Sequence, residues 1–242
     1  MDNFKFSDPE VKKGVEAVER GEMVFIFDSD SREGETDFVI AASAITPDDV
    51  RWMRRDGGGL ICTALADEVC TTLGLPFMAD LLAEGAGRWP AIGNIVEQAG
   101  DLAYDSRSSF SIWVNHRDTR TGIPDNDRAL TINKLAEISE KGRNGEAVVF
   151  GDDFRAPGHV ALLRAAEGLV ENRRGQTELS VALAQMAGIT PVMVVCEMLD
   201  DTNGKALSKE DARTYAQLHG CVFLEGAQIT KVYKEWVARQ KK

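Results

Sequence analysis

The densest group of acidic side chains lies in residues 28–37, where five carboxylates occupy ten positions beside one cation, Arg32. Apolar runs over residues 23–27 and 38–42 flank this stretch and are typical of buried strands. The acidic residues would then lie on a connection between two rigid elements, where chemistry is often placed. Crowded carboxylates repel one another, and a hard divalent cation with oxygen ligands, such as Mg²⁺, would neutralise them. A solvated acidic turn is the alternative. The five residues are Asp28, Asp30, Glu33, Glu35 and Asp37.

A second group, in residues 173–178, combines two arginines with a glycine at the start of a predicted helix. Free N–H groups at a helix N-terminus attract phosphate, and Arg173 or Arg174 could pair with two phosphate oxygens at once. Thr177 could cap the helix or donate its hydroxyl to a ligand. The stretch therefore indicates either a phosphate site or an ordinary helix cap with two exposed arginines.

Three isolated polar residues adjoin apolar runs. His159 follows a Pro-Gly pair and has a side chain suited to acid–base chemistry, although a hydrogen-bonded structural histidine is the alternative. Glu197 closes an apolar strand and lies either at the exposed end of a sheet or in a site. Cys62 lies inside another apolar strand, where a packed thiol is the simpler interpretation.

The elements that must position these residues alternate between strand and helix along the chain. Strands are predicted at residues 23–27, 38–42, 60–65, 109–115, 147–150, 160–163, 191–196 and 221–224. Helices are predicted at 8–20, 46–56, 67–74, 129–142, 179–188, 208–220 and from 227 onward, and residues 119–128 are predicted to be a polar connection. Residues 154–159 are predicted to be a loop, and residues 75–105 show only a weak helix near 91–99. With no linker or repeat, the pattern predicts an α+β fold: one three-layer domain over residues 1–242, with a central mixed β-sheet flanked by helices.

Charge and composition argue against several classes of function. The chain has 28 Lys and Arg against 39 Asp and Glu, a net charge of −11, which disfavours broad binding to nucleic acid or anionic membranes. No apolar run is long enough to cross a bilayer, and the first ten residues contain no signal-peptide core. The four cysteines form no Cys-x-x-Cys pair, which fits neither a zinc site nor a disulfide framework and indicates a reducing cytoplasm.

Taken in order along nearly the whole chain, these stretches resemble the 3,4-dihydroxy-2-butanone 4-phosphate synthase family, in its archaeal, monofunctional form. The resemblance implies a lyase of riboflavin biosynthesis. Such an enzyme converts D-ribulose 5-phosphate to formate and L-3,4-dihydroxy-2-butanone 4-phosphate by metal-assisted enolisation, skeletal rearrangement and loss of C4. It also implies Mg²⁺ or Mn²⁺ as cofactor and a homodimer with active sites at the interface. The stretches are Asp28–Asp37 (with Arg-Glu-x-Glu-x-Asp), Gly58–Leu65, Thr121–Arg128, Pro157–Val160, Arg173–Glu178 and Cys196–Glu197.

By residue match, the resemblance also implies roles for the candidate residues. It implies that Arg32, Arg173 and Thr177 bind the phosphate, and that Glu33 and the residue at position 176 bind the metal. It implies that His159 and Glu197 form the pair that transfers protons. The remaining implied site residues are Asp37 and Asp30 on the substrate, and Glu35, Cys62 and Asp28 among the catalytic residues.

One position departs from the family pattern. The family has Gly-His-Thr-Glu, with the histidine as a metal ligand, whereas this chain has Gln176. A glutamine amide oxygen can bind Mg²⁺, but an amide cannot transfer protons as an imidazole does. Two alternatives to an active lyase therefore stay open. One is a catalytically impaired paralogue or variant that binds sugar phosphate without full turnover, and the other is a sugar-phosphate isomerase that stops after enolisation.

Overall fold

A seven-stranded mixed sheet forms the centre of the computed structural model, which describes residues 4–240. The strand order is β4-β5-β3-β6-β2-β1-β7. The pairs β3–β5 and β1–β7 are parallel, and the other neighbouring strands are antiparallel. The strands are β1 Val24–Phe27, β2 Thr36–Ala41, β3 Cys62–Leu65, β4 Phe110–His116, β5 Phe154–Arg164, β6 Val192–Glu197 and β7 Val222–Glu225.

Side-chain caps fix where several helices begin. Asp8, Thr46 and Ser208 each accept a hydrogen bond from a backbone N–H in the first turn of α1, α2 and α9, respectively, which satisfies N–H groups that have no partner within the helix. The helices are α1 Pro9–Glu19, α2 Pro47–Asp56, α3 Asp67–Leu73, α4 Met78–Gly85, α5 Pro90–Gly93, α6 Asp125–Arg143, α7 Phe150–Asp153, α8 Gln176–Ala187, α9 Lys209–Leu218 and α10 Gly226–Gln240, with one 3₁₀ turn at Leu169–Glu171.

Helices cover both faces of the sheet. On one face Phe25 and its cross-strand partner Phe38 pack against Trp52 of α2 and Tyr215 of α9. On the other face α8 packs against β3, β6 and β1 and also contacts α1 and α10. Because alternate residues of a strand point to opposite faces, this arrangement gives three layers. The predicted α+β class with a central mixed sheet is confirmed. None of the helices formed by residues 4–240 has the length and hydrophobicity that a membrane span requires.

The structure corrects three local predictions. The strand predicted at 147–150 is wrong, because residues 146–149 are unpaired and Phe150 begins α7, where its ring stacks on Phe154. The predicted loop 154–159 lies within β5, although pairing with β4 is interrupted between Arg155 and Val160. The helix predicted near 91–99 is confined to α5, and the short helix α4, which buries none of its residues, was not predicted.

Candidate active site

A cavity of about 310 Å³ lies on the α8 face of the sheet, where α8 begins and where β6 ends. Strand register explains the position of the acidic residues, because Asp37 of β2 is the direct neighbour of Glu197 of β6. Cys62 of β3 pairs with Val195, two residues before Glu197 on the same face. The cavity is lined by seven of the residues predicted from sequence, namely Glu33, Asp37, Cys62, Arg173, Gln176, Thr177 and Glu197.

Carboxylates crowd one end of this cavity, which we call the acidic end (Glu33, Glu35, Asp37 and Glu197). Burial and the neighbouring charges of Glu33, Glu197 and Asp28 raise the pKa of Glu35 to about 6. Burial and the adjacent Glu197 raise the pKa of Asp37 well above its ordinary value. Burial and Glu33 also raise the pKa of Glu197. Like charges held this close favour protonation of one another or the binding of a cation.

Asp28 holds the connection between β1 and β2 (residues 28–35, the acidic loop) from its buried side and does not line the cavity. Its carboxylate is almost fully buried and accepts hydrogen bonds from the backbone N–H groups of Glu33 (3.1 Å) and Glu35 (3.0 Å). It also faces Arg32 Nη1 at 3.3 Å. These contacts give Asp28 a structural role in holding the loop, and its catalytic role stays a prediction. Asp30 is exposed on the same loop and lies outside the cavity lining.

Gln176, the residue that departs from the family pattern, has a fixed side-chain orientation. Its Nε2 donates to the backbone oxygens of Ile26 (2.9 Å) and Glu35 (3.1 Å). Carbonyl oxygens only accept hydrogen bonds, so the NH₂ group must face them and Oε1 must point the other way. Gln176 is 7% exposed, lines the cavity, and its Oε1 has no hydrogen-bond partner within residues 4–240.

The donor atoms at the acidic end fit a hard divalent cation. Among residues 4–240, no three His, Cys, Asp or Glu side chains form a ready-made metal cluster, and Glu33 Oε2 is turned toward Arg32 Nη1 at 2.7 Å. However, Gln176 and Glu33 line one cavity, the buried Gln176 Oε1 has no hydrogen-bond partner within residues 4–240, and amide and carboxylate oxygens suit Mg²⁺ as ligands. We therefore conclude that the residues present fit such a cation, with Glu33 exchanging its contact with Arg32 for the metal.

Two guanidinium groups lie around the first turn of α8 and form what we call the basic end of the site: Arg173 lines the cavity, whereas Arg32 lies outside the lining and contacts Glu33. A Cβ atom at Gly175, the N-cap residue, would lie 2.4 Å from Arg173 Nη1 and 2.9 Å from Arg32 Nη2. Glycine therefore allows both arginines to lie against the helix N-terminus, where the partial positive charge of the helix adds to theirs.

Carboxylates hold both arginines in place. Arg173 Nη1 donates to Glu178 Oε2 at 2.6 Å, and Arg173 Nε donates to Asp105 Oδ2, also at 2.6 Å. Arg32 Nη2 donates to the same Asp105 oxygen at 2.5 Å. The basic end is therefore already paired with anionic side chains of the chain itself.

Thr177 lies in the first turn of α8, is almost fully buried and lines the cavity. The interpretation of Thr177 as the helix cap is wrong, because Gly175 is the N-cap and the Glu178 carboxylate accepts from the Gly175 N–H at 3.2 Å. This leaves the Thr177 hydroxyl for a ligand. Arg174 makes a different contact, with its Nε donating to Val170 O at 3.2 Å.

His159 is exposed and lies outside the cavity lining. Asn115 holds it from behind: the Asn115 Oδ1 accepts from the His159 backbone N–H at 2.8 Å, and Asn115 Nδ2 lies 3.1 Å from His159 Nδ1. Within a single chain, His159 and Glu197 are therefore not brought into one cavity. Cys62 is in the cavity wall, and burial raises the pKa of its thiol well above the usual value, so it remains protonated.

Sequence reasoning missed a set of residues that shape the site. Asp105 follows the stretch that gave no periodic pattern, and no spacing rule connects it to Arg32 or Arg173. Asn115 ends a recognisable strand pattern, but its contact with His159 crosses between two strands. The missed residues that line the cavity are Glu97, Leu102, Tyr104, Ser108, Ser109, Phe110, Leu163 and Val195.

Comparison with known proteins gives one consistent family. A family model described as 3,4-dihydroxy-2-butanone 4-phosphate synthase matches residues 12–232. A relative of that name from Methanosarcina mazei is 60% identical over 233 residues, 96% of this chain and 94% of the relative. One from Methanothermobacter thermautotrophicus is 50% identical over 226 residues, 93% of this chain and 96% of the relative.

Solved structures of the same name share the fold. One, in complex with two magnesium ions, has a TM-score of 0.74 at 29% identity and covers 90% of this chain and 94% of its own. A cation-free form also has a TM-score of 0.74, at 28% identity, and covers 96% of this chain and 99% of its own.

Proposed function

Because the chain belongs to the 3,4-dihydroxy-2-butanone 4-phosphate synthase family, we propose that it converts D-ribulose 5-phosphate to formate and L-3,4-dihydroxy-2-butanone 4-phosphate in riboflavin biosynthesis. It is a divalent-metal-dependent carbon–carbon lyase. The observation that carries this proposal is that one site brings together crowded carboxylates and, at the first turn of α8, a helix N-terminus with two arginines. A phosphorylated sugar has the matching groups, with an anionic group at one end and reacting hydroxyl and carbonyl oxygens at the other.

The basic end binds the phosphate. Arg32 and Arg173 present guanidinium donors beside Gly175, and charge-assisted hydrogen bonds of this kind suit phosphate oxygens. The Thr177 hydroxyl, which is not used as a helix cap, donates a further hydrogen bond. Asp37, buried beside Glu197, accepts hydrogen bonds from the sugar hydroxyl groups and fixes which carbon faces the acidic end. Asp30, exposed in the single chain, can reach the substrate only at the outer mouth of the site.

Glu33 and Gln176 hold the divalent cation, Mg²⁺ or Mn²⁺. When bound, the cation stabilises negative charge on the sugar oxygens during enolisation. The family member solved in complex with two magnesium ions supports a divalent-metal cofactor. The fixed amide of Gln176 also supports an active enzyme over the impaired-variant alternative, because its NH₂ group is held by Ile26 O and Glu35 O and its buried Oε1 is left without a hydrogen-bond partner within residues 4–240.

Glu197 and His159 move the protons, with Glu35 beside Glu197. Glu197 ends β6 inside the cavity and is positioned by the strand, so it can take or return a proton at a sugar carbon or oxygen. Cys62 forms part of the wall next to it. The Asn115 contacts hold the His159 ring in one orientation on the outer side of the same chain.

We propose a homodimer in which His159 of one protomer completes the site of the other. The exposed position of His159 supports this arrangement. So do the exposed apolar side chains of Trp113, on the edge strand β4, and of Ile123, in the loop that follows. We further propose that residues 1–242 act as one domain and work in the cytoplasm, where the four unpaired cysteines would stay reduced.

Formate release tests the proposed function. The protein is incubated with ribulose 5-phosphate and Mg²⁺ or Mn²⁺, and formate and the four-carbon phosphate are followed by NMR. We expect both products in equal amounts, and their loss when the metal is chelated. A retained five-carbon product would favour the isomerase alternative. Binding of ribulose 5-phosphate with no turnover under either metal would favour the impaired variant.

A further inference from the structure

The Asp105 carboxylate sits at the basic end of the site, where the proposed function requires a phosphate. A single oxygen, Oδ2, accepts from Arg32 Nη2 at 2.5 Å and from Arg173 Nε at 2.6 Å, and the Asp105 side chain is 7% exposed. An oxygen shared by two guanidinium groups next to a helix N-terminus is the environment expected for a phosphate oxygen.

The two arginines do not depend on Asp105 for their positions. Arg173 is also bound to Glu178 at 2.6 Å. Arg32 is also paired with Glu33 at 2.7 Å and with Asp28 at 3.3 Å. Removing the Asp105 charge would therefore leave each guanidinium with at least one carboxylate partner, and the anion site would keep its shape.

Asp105 is carried by a segment that has no regular secondary structure to hold it in place. Residues 94–109 lie between α5 and β4 and contain no helix or strand. Leu102, Tyr104 and Ser108 of this segment line the cavity, and Tyr104 lies against the Arg32 guanidinium, 5.3 Å from the ring centre. The Asp105 ion pairs thus join this covering segment to the basic end of the site.

We propose that Asp105 is an internal stand-in for the substrate phosphate, so that phosphate binds by displacing it and by releasing residues 94–109. This inference rests on the proposed function and deepens it. Displacement selects the ligand by its charge. A phosphate carries nearly two negative charges and three strong acceptor oxygens and outcompetes one carboxylate for the arginines. A neutral sugar or a monoanionic acid offers no gain over Asp105.

Direct binding of inorganic phosphate, measured calorimetrically with the metal-free protein, tests the inference without turnover. When one side chain occupies the site most of the time, the apparent affinity for a competitor falls by the fraction of unoccupied sites. We expect Asp105→Asn to bind phosphate about tenfold more tightly than the unsubstituted protein. Asp101→Asn is the matched control: Asp101 lies on the same segment and accepts from Gln98 N–H, and its loss should leave phosphate affinity unchanged.

Competition between acetate and phosphate provides a second test. In Asp105→Ala, added acetate can take the place of the missing carboxylate and should weaken phosphate binding, whereas in the unsubstituted protein acetate should have no effect. Hydrogen exchange of residues 94–109 should rise on phosphate binding and in Asp105→Asn without phosphate. Thermal melting of both variants shows that they are folded.

The outcomes separate this inference from the proposed function. If the unsubstituted protein binds phosphate and Asp105→Asn binds it equally or less tightly, Asp105 positions the arginines and the stand-in role is wrong. If neither protein binds phosphate, or if Arg173→Met binds it as well as the unsubstituted protein, the phosphate site of the proposed function fails and Asp105 loses its role with it.

Discussion

The two ends of the site differ in how their charges are balanced. At the basic end each guanidinium has at least two carboxylate partners. At the acidic end Glu33 is paired with Arg32, but Glu35, Asp37 and Glu197 have no ion-pair partner among residues 4–240, and the pKa values of all three are raised. The acidic end would therefore gain from an added cation, whereas the basic end can accept an anion only by exchange. The acidic end is therefore suited to bind an added cation, and the basic end to bind an anion that displaces a carboxylate of the chain.

The largest expected effect comes from removing the metal ligand of the acidic end. We expect Glu33→Ala to abolish metal-dependent formate release and to weaken Mg²⁺ binding by at least 10–100-fold, roughly the loss that even outer-shell changes cause at metal sites. Isothermal titration with Mg²⁺ and the formate assay measure the two effects.

Glu84→Ala is the control for Glu33→Ala, since Glu84 is an exposed carboxylate of α4 outside the cavity lining. Unchanged turnover and unchanged Mg²⁺ affinity in Glu33→Ala would remove Glu33 from the site. The acidic end would then not be the cation site, and the contrast between the two ends would lose its functional meaning.

The next largest expected effect is that of Glu197→Gln, which tests proton transfer at the acidic end separately from anion binding at the basic end. Glu197→Gln keeps the shape of the side chain but removes its proton-transfer capacity, so we expect kcat to fall by roughly 10²–10⁴-fold, typical for a general acid or base. Inorganic phosphate binding should stay the same, because the basic end is untouched. Steady-state formate kinetics and phosphate titration check the two expectations.

Glu225→Gln provides the matched control for Glu197→Gln. Glu225 also ends a strand, but it pairs with Lys209 and Arg213 away from the cavity, so its loss should not change kcat. A Glu197→Gln enzyme with normal kcat would show that another group transfers the proton.

Gln176→His tests how far the amide of Gln176 determines which metal ion the site prefers. Imidazole nitrogen favours Mn²⁺ or Zn²⁺ over Mg²⁺ relative to an amide oxygen, so the ratio of Mn²⁺ to Mg²⁺ affinity should rise severalfold. One imidazole N–H cannot satisfy both Ile26 O and Glu35 O as the amide does, so stability should fall by about 1 kcal/mol.

Metal titration and thermal melting measure these effects of Gln176→His. An unchanged metal preference would mean that position 176 does not contact the metal. If the unsubstituted protein proves inactive and Gln176→His restores formate release, the impaired-variant alternative holds and the rest of the site is intact.

The sequence predicted the acidic end better than the basic end, for a physical reason. Glu33 and Glu35 lie on the short connection between β1 and β2, and Asp37 is the second residue of β2, so their proximity follows from local spacing. The partners of Asp105 lie 73 and 68 positions away, and its own segment has no hydrophobic period to fix its path. Thr177 lies at the start of α8, as predicted. The sequence pattern could not show that Gly175, rather than Thr177, is the N-cap and that Glu178 accepts from its N–H. His159 faces outward in the single chain, and a single sequence contains no signal for the surface that it meets.

The smallest expected effect is that of Glu35→Gln. It tests the repulsion among the carboxylates of the acidic end, measured as the pH dependence of thermal stability. The pKa of Glu35 is raised from its usual 4.5 to about 6 in the folded state, by burial and by Glu33, Glu197 and Asp28. The folded state therefore binds the proton more tightly than the unfolded chain, and stability falls as the pH rises from 4.5 through 6. We expect Glu35→Gln to melt about 1–3 °C higher than the unsubstituted protein at pH 7 in a chelator, because Glu35 is only half-buried and solvent screens part of the repulsion.

The higher melting temperature of Glu35→Gln should disappear below pH 4.5, where the Glu35 carboxylate is protonated in both the folded and the unfolded state. Added Mg²⁺ should narrow it as well, since the cation relieves the repulsion in the unsubstituted protein. Glu84→Gln, at an exposed position of α4, controls for the loss of one negative charge. A Glu35→Gln protein that melts lower than the unsubstituted protein at pH 7 would show that Glu35 stabilises the fold in its charged form. The acidic end would then be balanced by the chain itself, as the basic end is.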